Sequence, residues 1–304
     1  MNLLTICATA LFAAFGFVSV EAAACPVDKT LEANKVLVRT ALDALFNQHD
    51  VSAVDKYFVP EYKQHNPFAA DGAAGLKAFV SNASADLSYE IGAVSAEGDL
   101  VWSHNRVPIG NTSIVVDIFR VKDGKIVEHW DILQTEVPVS QTVSGRPMFP
   151  ITQTSTPAPV AKGCSDTSDS SSGPCVAKEV LKANKAVAAA ALDALFNNRD
   201  VSAVDKYIGT TYVQHNPFGS DGPDALKALI GSLPEGVKYE IGAQIAEGDL
   251  VWNHSRVSGL PGVPASIVVD VFRVQDGRLV EHWDVLQTEV TETVSGRPMF
   301  PIVA

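Results

Sequence analysis

Apolar side chains at Leu37, Val38, Ala41, Leu42, Leu45 and Phe46 recur at the three- and four-residue spacing of one helix face, which predicts an amphipathic helix. Val51–Tyr57 predicts a second, short helix and Ala73–Val80 a third. The period then drops to two. Alternating positions over Tyr89–Ala96, Leu100–Val107, Ser113–Val121 and Ile126–Val137 predict four strands. They are separated by Glu97-Gly98-Asp99 and Lys122-Asp123-Gly124, which suit tight hairpin turns. Helices first and an antiparallel meander afterwards make an α+β layer in which a curved sheet wraps its helices.

The whole pattern occurs twice. ALDALFNQHDVSAVDKY from Ala41 returns as ALDALFNNRDVSAVDKY from Ala191, QHNPF at Gln64 returns at Gln214, and EGDLVW at Glu97 returns at Glu247, all offset by 150. DIFRVKDGKIVEHWDILQTEV from Asp117 matches DVFRVQDGRLVEHWDVLQTEV from Asp270 at an offset of 153, so the second copy carries an insertion near Gly259–Val263. Both copies finish with TVSGRPMFP. A period this long means a duplicated domain and not a solenoid of short units. Residues 152–174, rich in Ser, Thr, Pro and Gly, read as a solvated linker between domains at 25–151 and 175–304.

A 46% hydrophobic, 19% charged composition over 304 residues supports two packed cores. The net charge of −12 disfavours nucleic acid and anionic lipid surfaces as partners. The uncharged run from Asn2 to Val20, ending before the small residues Ala22, Ala23 and Ala24, reads as a signal peptide over residues 1–24. The expected location is therefore extracellular, with no membrane span after cleavage. Cys25, Cys164 and Cys175 then remain, an odd number whose pairing is open. Sequons at Asn82, Asn111 and Asn253 are candidate glycosylation sites.

Histidines pair between the copies as His65/His215, His104/His254 and His129/His282, and the tryptophans as Trp102/Trp252 and Trp130/Trp283. On the last strand His129 and Asp131 share a face, as do His282 and Asp284. Asp117 with Phe119, and Trp102 with His104 and Arg106, are expected to face the same interior. Two carboxylates and a histidine among apolar walls form an acid–base constellation. Burial raises a carboxylate pKa, which suits Asp131 and Asp284 to proton transfer, with His104 and His254 hydrogen-bonding a developing enolate. The loop residues Gln64, His65, Asn66 and Pro67, and likewise His215 and Asn216, are expected to rim the cavity mouths, or His65 and Asn66 to tie their loop to the backbone. No HxH, HxxxH or HExxH spacing occurs, so neither a metal nor another cofactor is expected. SGRPMFP packs across the partner copy through Met148 and Phe149, or serves as an ordered exit from the last strand. Phosphate-binding glycine loops and a GxSxG elbow are absent, which sets aside kinase, nucleotide and serine hydrolase readings.

ALDALFNQHD, VDKYFVPEYKQHNP, GDLVW and VVDIFRVKDGKIVEHWD together resemble a SnoaL-like domain of the nuclear transport factor 2-like superfamily, in both copies. The resemblance implies a cone-shaped α+β barrel with a deep pocket, dimerising through its outer sheet face, which here makes an intrachain pseudo-dimer. In the family's polyketide cyclases a last-strand aspartate serves as acid and base for an aldol closure without metal or Schiff base; its motif position falls on Asp131 and Asp284. A pocket residue on the preceding strand falls on or beside Asp117 and Asp270, where this chain departs by carrying a carboxylate. The resulting expectation is a secreted protein binding a small apolar carbonyl compound, with cofactor-free lyase, isomerase or cyclase chemistry. His129, His282, Trp102, Trp252, Asp117 and Asp270 would contact the substrate. Two rival readings are a non-catalytic extracellular ligand-binding module and a dehydratase using His65 with His104.

Overall fold

A computed structural model describes residues 28–84, 86–109, 111–152 and 173–303. The expected leader, residues 153–172 and the thiols of Cys25, Cys164 and Cys175 lie outside the described residues. Asp28 caps the first helix, α1 (Lys29–Leu42), by accepting the backbone N–H groups of Thr30 and Leu31 at 2.9 and 3.4 Å. A wider turn over Asp43–Asn47 extends α1 and carries Leu45 and Phe46 inward. The short α2 (Ala53–Tyr57) runs directly into β1 (Phe58–Gln64), and α3 (Gly72–Asn82) follows. The predicted strands form β2 (Glu90–Glu97), β3 (Leu100–Ile109), β4 (Asn111–Lys122) and β5 (Lys125–Thr135). Asp123 and Gly124 both take positive φ, the geometry a two-residue hairpin needs.

The sheet order is β1-β5-β4-β3-β2, and β1 runs parallel to β5. The four meander strands pair antiparallel as expected, and the parallel edge strand β1 is added to them. Phe58–Gln64 contains Pro60, which has no N–H for a ladder, so the segment is tolerated as a strand only at the sheet edge it occupies. The second half repeats the arrangement with α4 (Gly173–Leu192), α5 (Ala203–Tyr207), β6 (Ile208–Gln214), α6 (Pro223–Ser232), β7 (Lys238–Glu247), β8 (Leu250–Ser258), β9 (Ser266–Gln275) and β10 (Arg278–Thr288), ordered β6-β10-β9-β8-β7. The fold is α+β, with two tandem mixed-sheet domains. Among the described residues no helix is long and apolar enough to cross a membrane.

Buried apolar side chains form one cluster in each half between helices and sheet, and a third shared by the outer faces of both sheets. Trp102 and Trp252 meet edge to face across that shared layer at 6.4 Å, with Ile118, Ile132, Val271 and Val285 around them. Polar contacts reciprocate at its rim. Leu133 N–H donates to Gln287 Oε1 at 3.0 Å and Leu286 N–H to Gln134 Oε1 at 2.9 Å. Lys35 pairs with Glu247 and Lys185 with Glu97.

Candidate functional site

In each half the helix-covered face of the sheet leaves a cavity walled by apolar side chains; its carboxylates and histidine come from β4 and β5 or their counterparts, and its amides from β1 or β6 and the loop that follows. Antiparallel pairing sets Asp117 opposite Asp131 and Phe119 opposite His129, so all four side chains share that face. His129 lies flat against Phe119, with ring centroids 4.6 Å apart. Its Nε2 meets Asp117 Oδ1 at 2.9 Å and its Nδ1 meets Gln64 Oε1 at 3.0 Å. That Gln64 oxygen also accepts the Asn66 backbone N–H at 2.8 Å, which fixes it as an acceptor and therefore fixes Nδ1 as a donor. The Asn66 side chain is oriented in the same way: its Oδ1 accepts the Phe68 N–H at 2.8 Å, and its Nδ2 donates to Asp131 Oδ2 at 2.6 Å. The second half repeats the network through Gln214, Asn216, Asp270, His282 and Asp284.

Among the described residues Asp131 Oδ1 and Asp284 Oδ1 are buried with no hydrogen-bond partner, and both side chains line their cavities. Burial raises the pKa of each carboxyl to about 6; the neighbouring histidine pulls it down and the second carboxylate pushes it up. For His129, burial favours the neutral ring. The hydrogen bond to Asp117 and the charges of Asp131 and Asp117 outweigh it and raise the pKa. The result is a proton-holding ring beside a carboxyl poised to change state near neutral pH. One ligand atom from each of Asp117, His129 and Asp131 lies within 4.8 Å of the others, as in Asp270, His282 and Asp284. A cation there would need the Nε2 lone pair and so would displace the proton shared with the Asp117 carboxylate.

Several expected site residues lie elsewhere. Ser103, not Trp102 or His104, pairs with Asp117, so Trp102 and His104 project from the opposite face of β3 into the layer between the halves, as do Trp252 and His254. Both faces of this sheet are buried, so alternation alone does not identify the cavity side. His65 and His215 are also outside the cavities. His65 Nδ1 donates to the Pro298 carbonyl at 2.6 Å and its Nε2 meets Glu128 at 3.0 Å; His215 makes the same contacts with Pro147 and Glu281. The paired-histidine dehydratase therefore has neither ring at a pocket. Asn66, Asn216, Asp117, Asp270, His129 and His282 do line the cavities. The sequon residue Asn253 is fully buried, which closes it to a glycan, whereas Asn82 and Asn111 are exposed.

Gln64 and Gln214 line the cavities as expected of that loop; the residues missed from sequence are Tyr62 and Tyr89 with their counterparts Tyr212 and Tyr239. The inward spacing Phe58, Tyr62, Gln64 was the available signal, masked by Pro60. Tyr62 hydroxyl accepts Gln64 Nε2–H at 3.1 Å, and burial together with the Asp131 and Asp117 charges keeps it a phenol.

Among the described residues His104 and His254 have no hydrogen-bond partner at either ring nitrogen, and burial lowers their pKa values to about 3. Since the unfolded value is 6.5, stability is complete above that pH and is lost as pH falls toward 3, on the order of 4 kcal/mol per ring. His104→Phe with His254→Phe is expected to move the acid unfolding midpoint down by about one pH unit, read by tryptophan fluorescence. An unchanged midpoint would contradict this.

The two cavities differ in size, about 310 Å³ in the second half against about 80 Å³ in the first. In the first, Phe58 and Phe79 stand where the second has Ile208 and Leu229, and Phe46 stacks on Tyr89 at 4.5 Å. In the second, Phe196 tilts against Tyr239 at 5.3 Å and the Tyr239 hydroxyl turns to donate to Asp270. The wild type should bind the neutral fluorophore N-phenyl-1-naphthylamine once per chain, and Phe58→Ile with Phe79→Leu should raise the stoichiometry to two, measured by fluorescence titration.

The SnoaL-like domain profile matches residues 38–129 and again 188–282. No curated protein matches the chain. Among solved structures, TsrD from Streptomyces laurentii is 25% identical, covering 34% of this chain and 89% of its own, with a TM-score of 0.30. An LEH-like epoxide hydrolase of M. tuberculosis is 21% identical over 34% of this chain and 85% of its own, with a TM-score of 0.30. A nuclear transport factor 2-like protein from Mesorhizobium loti is 20% identical over 35% and 95%, with a TM-score of 0.32.

Proposed function

Because the chain belongs to the SnoaL-like domain family, in two tandem copies, we propose that it binds a small apolar carbonyl compound and moves a proton on it without a cofactor. One observation carries this reading: a buried aspartate with an unpartnered oxygen on the wall of an apolar cavity, its pKa raised to about 6. As carboxylate, Asp284 removes a proton from the carbon next to the carbonyl. As acid it returns the proton elsewhere, which completes an isomerisation or closes an aldol product. Asn216 holds its other oxygen, and the His282–Asp270 pair sets the local field. The Tyr212 phenol, on the same cavity wall, donates to the developing enolate oxygen in place of the expected His254. The first half, closed by Phe46, Tyr89 and Phe79, favours a non-catalytic role for that copy.

The reciprocal contacts between the outer sheet faces support an intrachain pseudo-dimer. The apolar run before Ala22 supports secretion.

The test uses 5-nitrobenzisoxazole, a small apolar compound in which loss of one C–H proton to a base breaks the N–O bond and releases a coloured phenolate. The wild type should accelerate this over free acetate, with the rate rising through about pH 6 as the carboxyl ionises. No acceleration at any pH would reject a poised base.

A further inference from the structure

The repeated TVSGRPMFP tails reach the loop that carries the other half's asparagine. Phe149 lies in the dimple left by Gly92 of its own half, where a Cβ would come within 2.6 Å of the ring, and Phe300 lies on Gly242 in the same way. Met148 Sδ accepts the Val137 N–H at 3.3 Å. With both aromatic anchors seated at home, the chain between strand and anchor is presented to the other half. Val143 N–H donates to the Pro217 carbonyl at 2.9 Å, and the Pro147 carbonyl accepts from His215 at 2.6 Å. Arg146 Nε donates to Asp221 at 2.8 and 3.0 Å. The second tail does the same for the first half: Val294 to Pro67 at 2.9 Å, Pro298 to His65 at 2.6 Å, and Arg297 in a fork to Asp71 at 2.9 Å on both arms.

The acceptors of those arginines lead into the cavities. Asp221 Oδ1 also accepts the Gln214 backbone N–H at 2.8 Å. Gln214 Oε1 in turn takes the N–H of Asn216 and meets His282 Nδ1, and Asn216 holds Asp284. Asp71, Gln64, Asn66, His129 and Asp131 make the mirror chain. We infer that Arg146 and Arg297 are positioning residues in trans: each half's tail sets the hydrogen-bond geometry of the opposite half's aspartate and histidine. The inference does not depend on catalysis.

Both arginine–aspartate pairs are more than a third exposed, so each contributes little to global stability. Their effect lies in fixing both carboxylate oxygens at once, which a single-point contact does not do. This separates positioning from folding in an experiment on the full chain. The ring N–H signals of His129 and His282 are recorded by proton NMR with nitrogen-15-labelled histidine, assigned through His129→Gln and His282→Gln. Arg146→Gln should shift the His282 signals and speed their exchange with water at least tenfold, leaving His129 in place. Arg297→Gln should do the reverse, and Arg→Lys at either position should restore part of the protection. Asp221→Asn cuts the first link from its other end and should reproduce Arg146→Gln. Signals that stay unchanged, or that change in the same half as the substituted arginine, would overturn the inference.

Discussion

Asp131→Asn together with Asp284→Asn is expected to lower turnover of 5-nitrobenzisoxazole by about 10²–10⁴-fold, the usual contribution of a positioned acid or base. Asparagine keeps the shape and can still meet Asn216 or Asn66, so affinity for N-phenyl-1-naphthylamine should stay within a few-fold. Most of the loss should follow Asp284→Asn alone, because the second half has the roomier cavity. The same variant should be more stable. A carboxyl whose folded pKa is about 6, against 3.8 unfolded, costs the folded state nothing below about pH 4 and its full penalty above about pH 6. Two units correspond to about 2–3 kcal/mol per site. Thermal denaturation should therefore show the double variant gaining at pH 8 and matching the wild type at pH 4. Retained turnover would remove Asp131 and Asp284 from the chemistry; a missing stability gain would show that these carboxyls are not strained by burial.

The other large effect lies between the halves. Trp252 is fully buried against Trp102 in a layer to which both sheets contribute. Trp252→Ala removes its ring from the centre of that layer at a cost of about 3–5 kcal/mol. With roughly 2–4 °C lost per kcal/mol in a protein of this size class, the melting temperature should fall by about 10 °C. Because the layer is shared, scanning calorimetry should show one transition in the wild type, and Trp252→Ala should move it as a unit. A second half that melts separately while the first keeps its original midpoint would mean the two cores are energetically independent.

The helices, the four meander strands and the duplication were legible because each depends on local spacing: one apolar face per helix, alternation in strands, glycine at positive φ in the turns. The pairing of His129 with Asp131 followed from the same alternation, since residues two apart on β5 must share a face. Strand β1 was not legible. Its seven residues hold a proline and their partner, β5, lies some 65 positions further along the chain.

For the site, residue spacing was enough to establish the two copies, the face of β5 that carries histidine and aspartate, and the acidic character of the facing strand. Which side of β3 meets that face was decided only in three dimensions, by the register of Ser103 against Asp117. Local pattern cannot choose there, because one side is covered by helices and the other by the second sheet, and both are apolar. The same holds for the tails. Arg146 and Asp221 are 75 residues apart in the chain, and only the packing of the two halves brings their charges together.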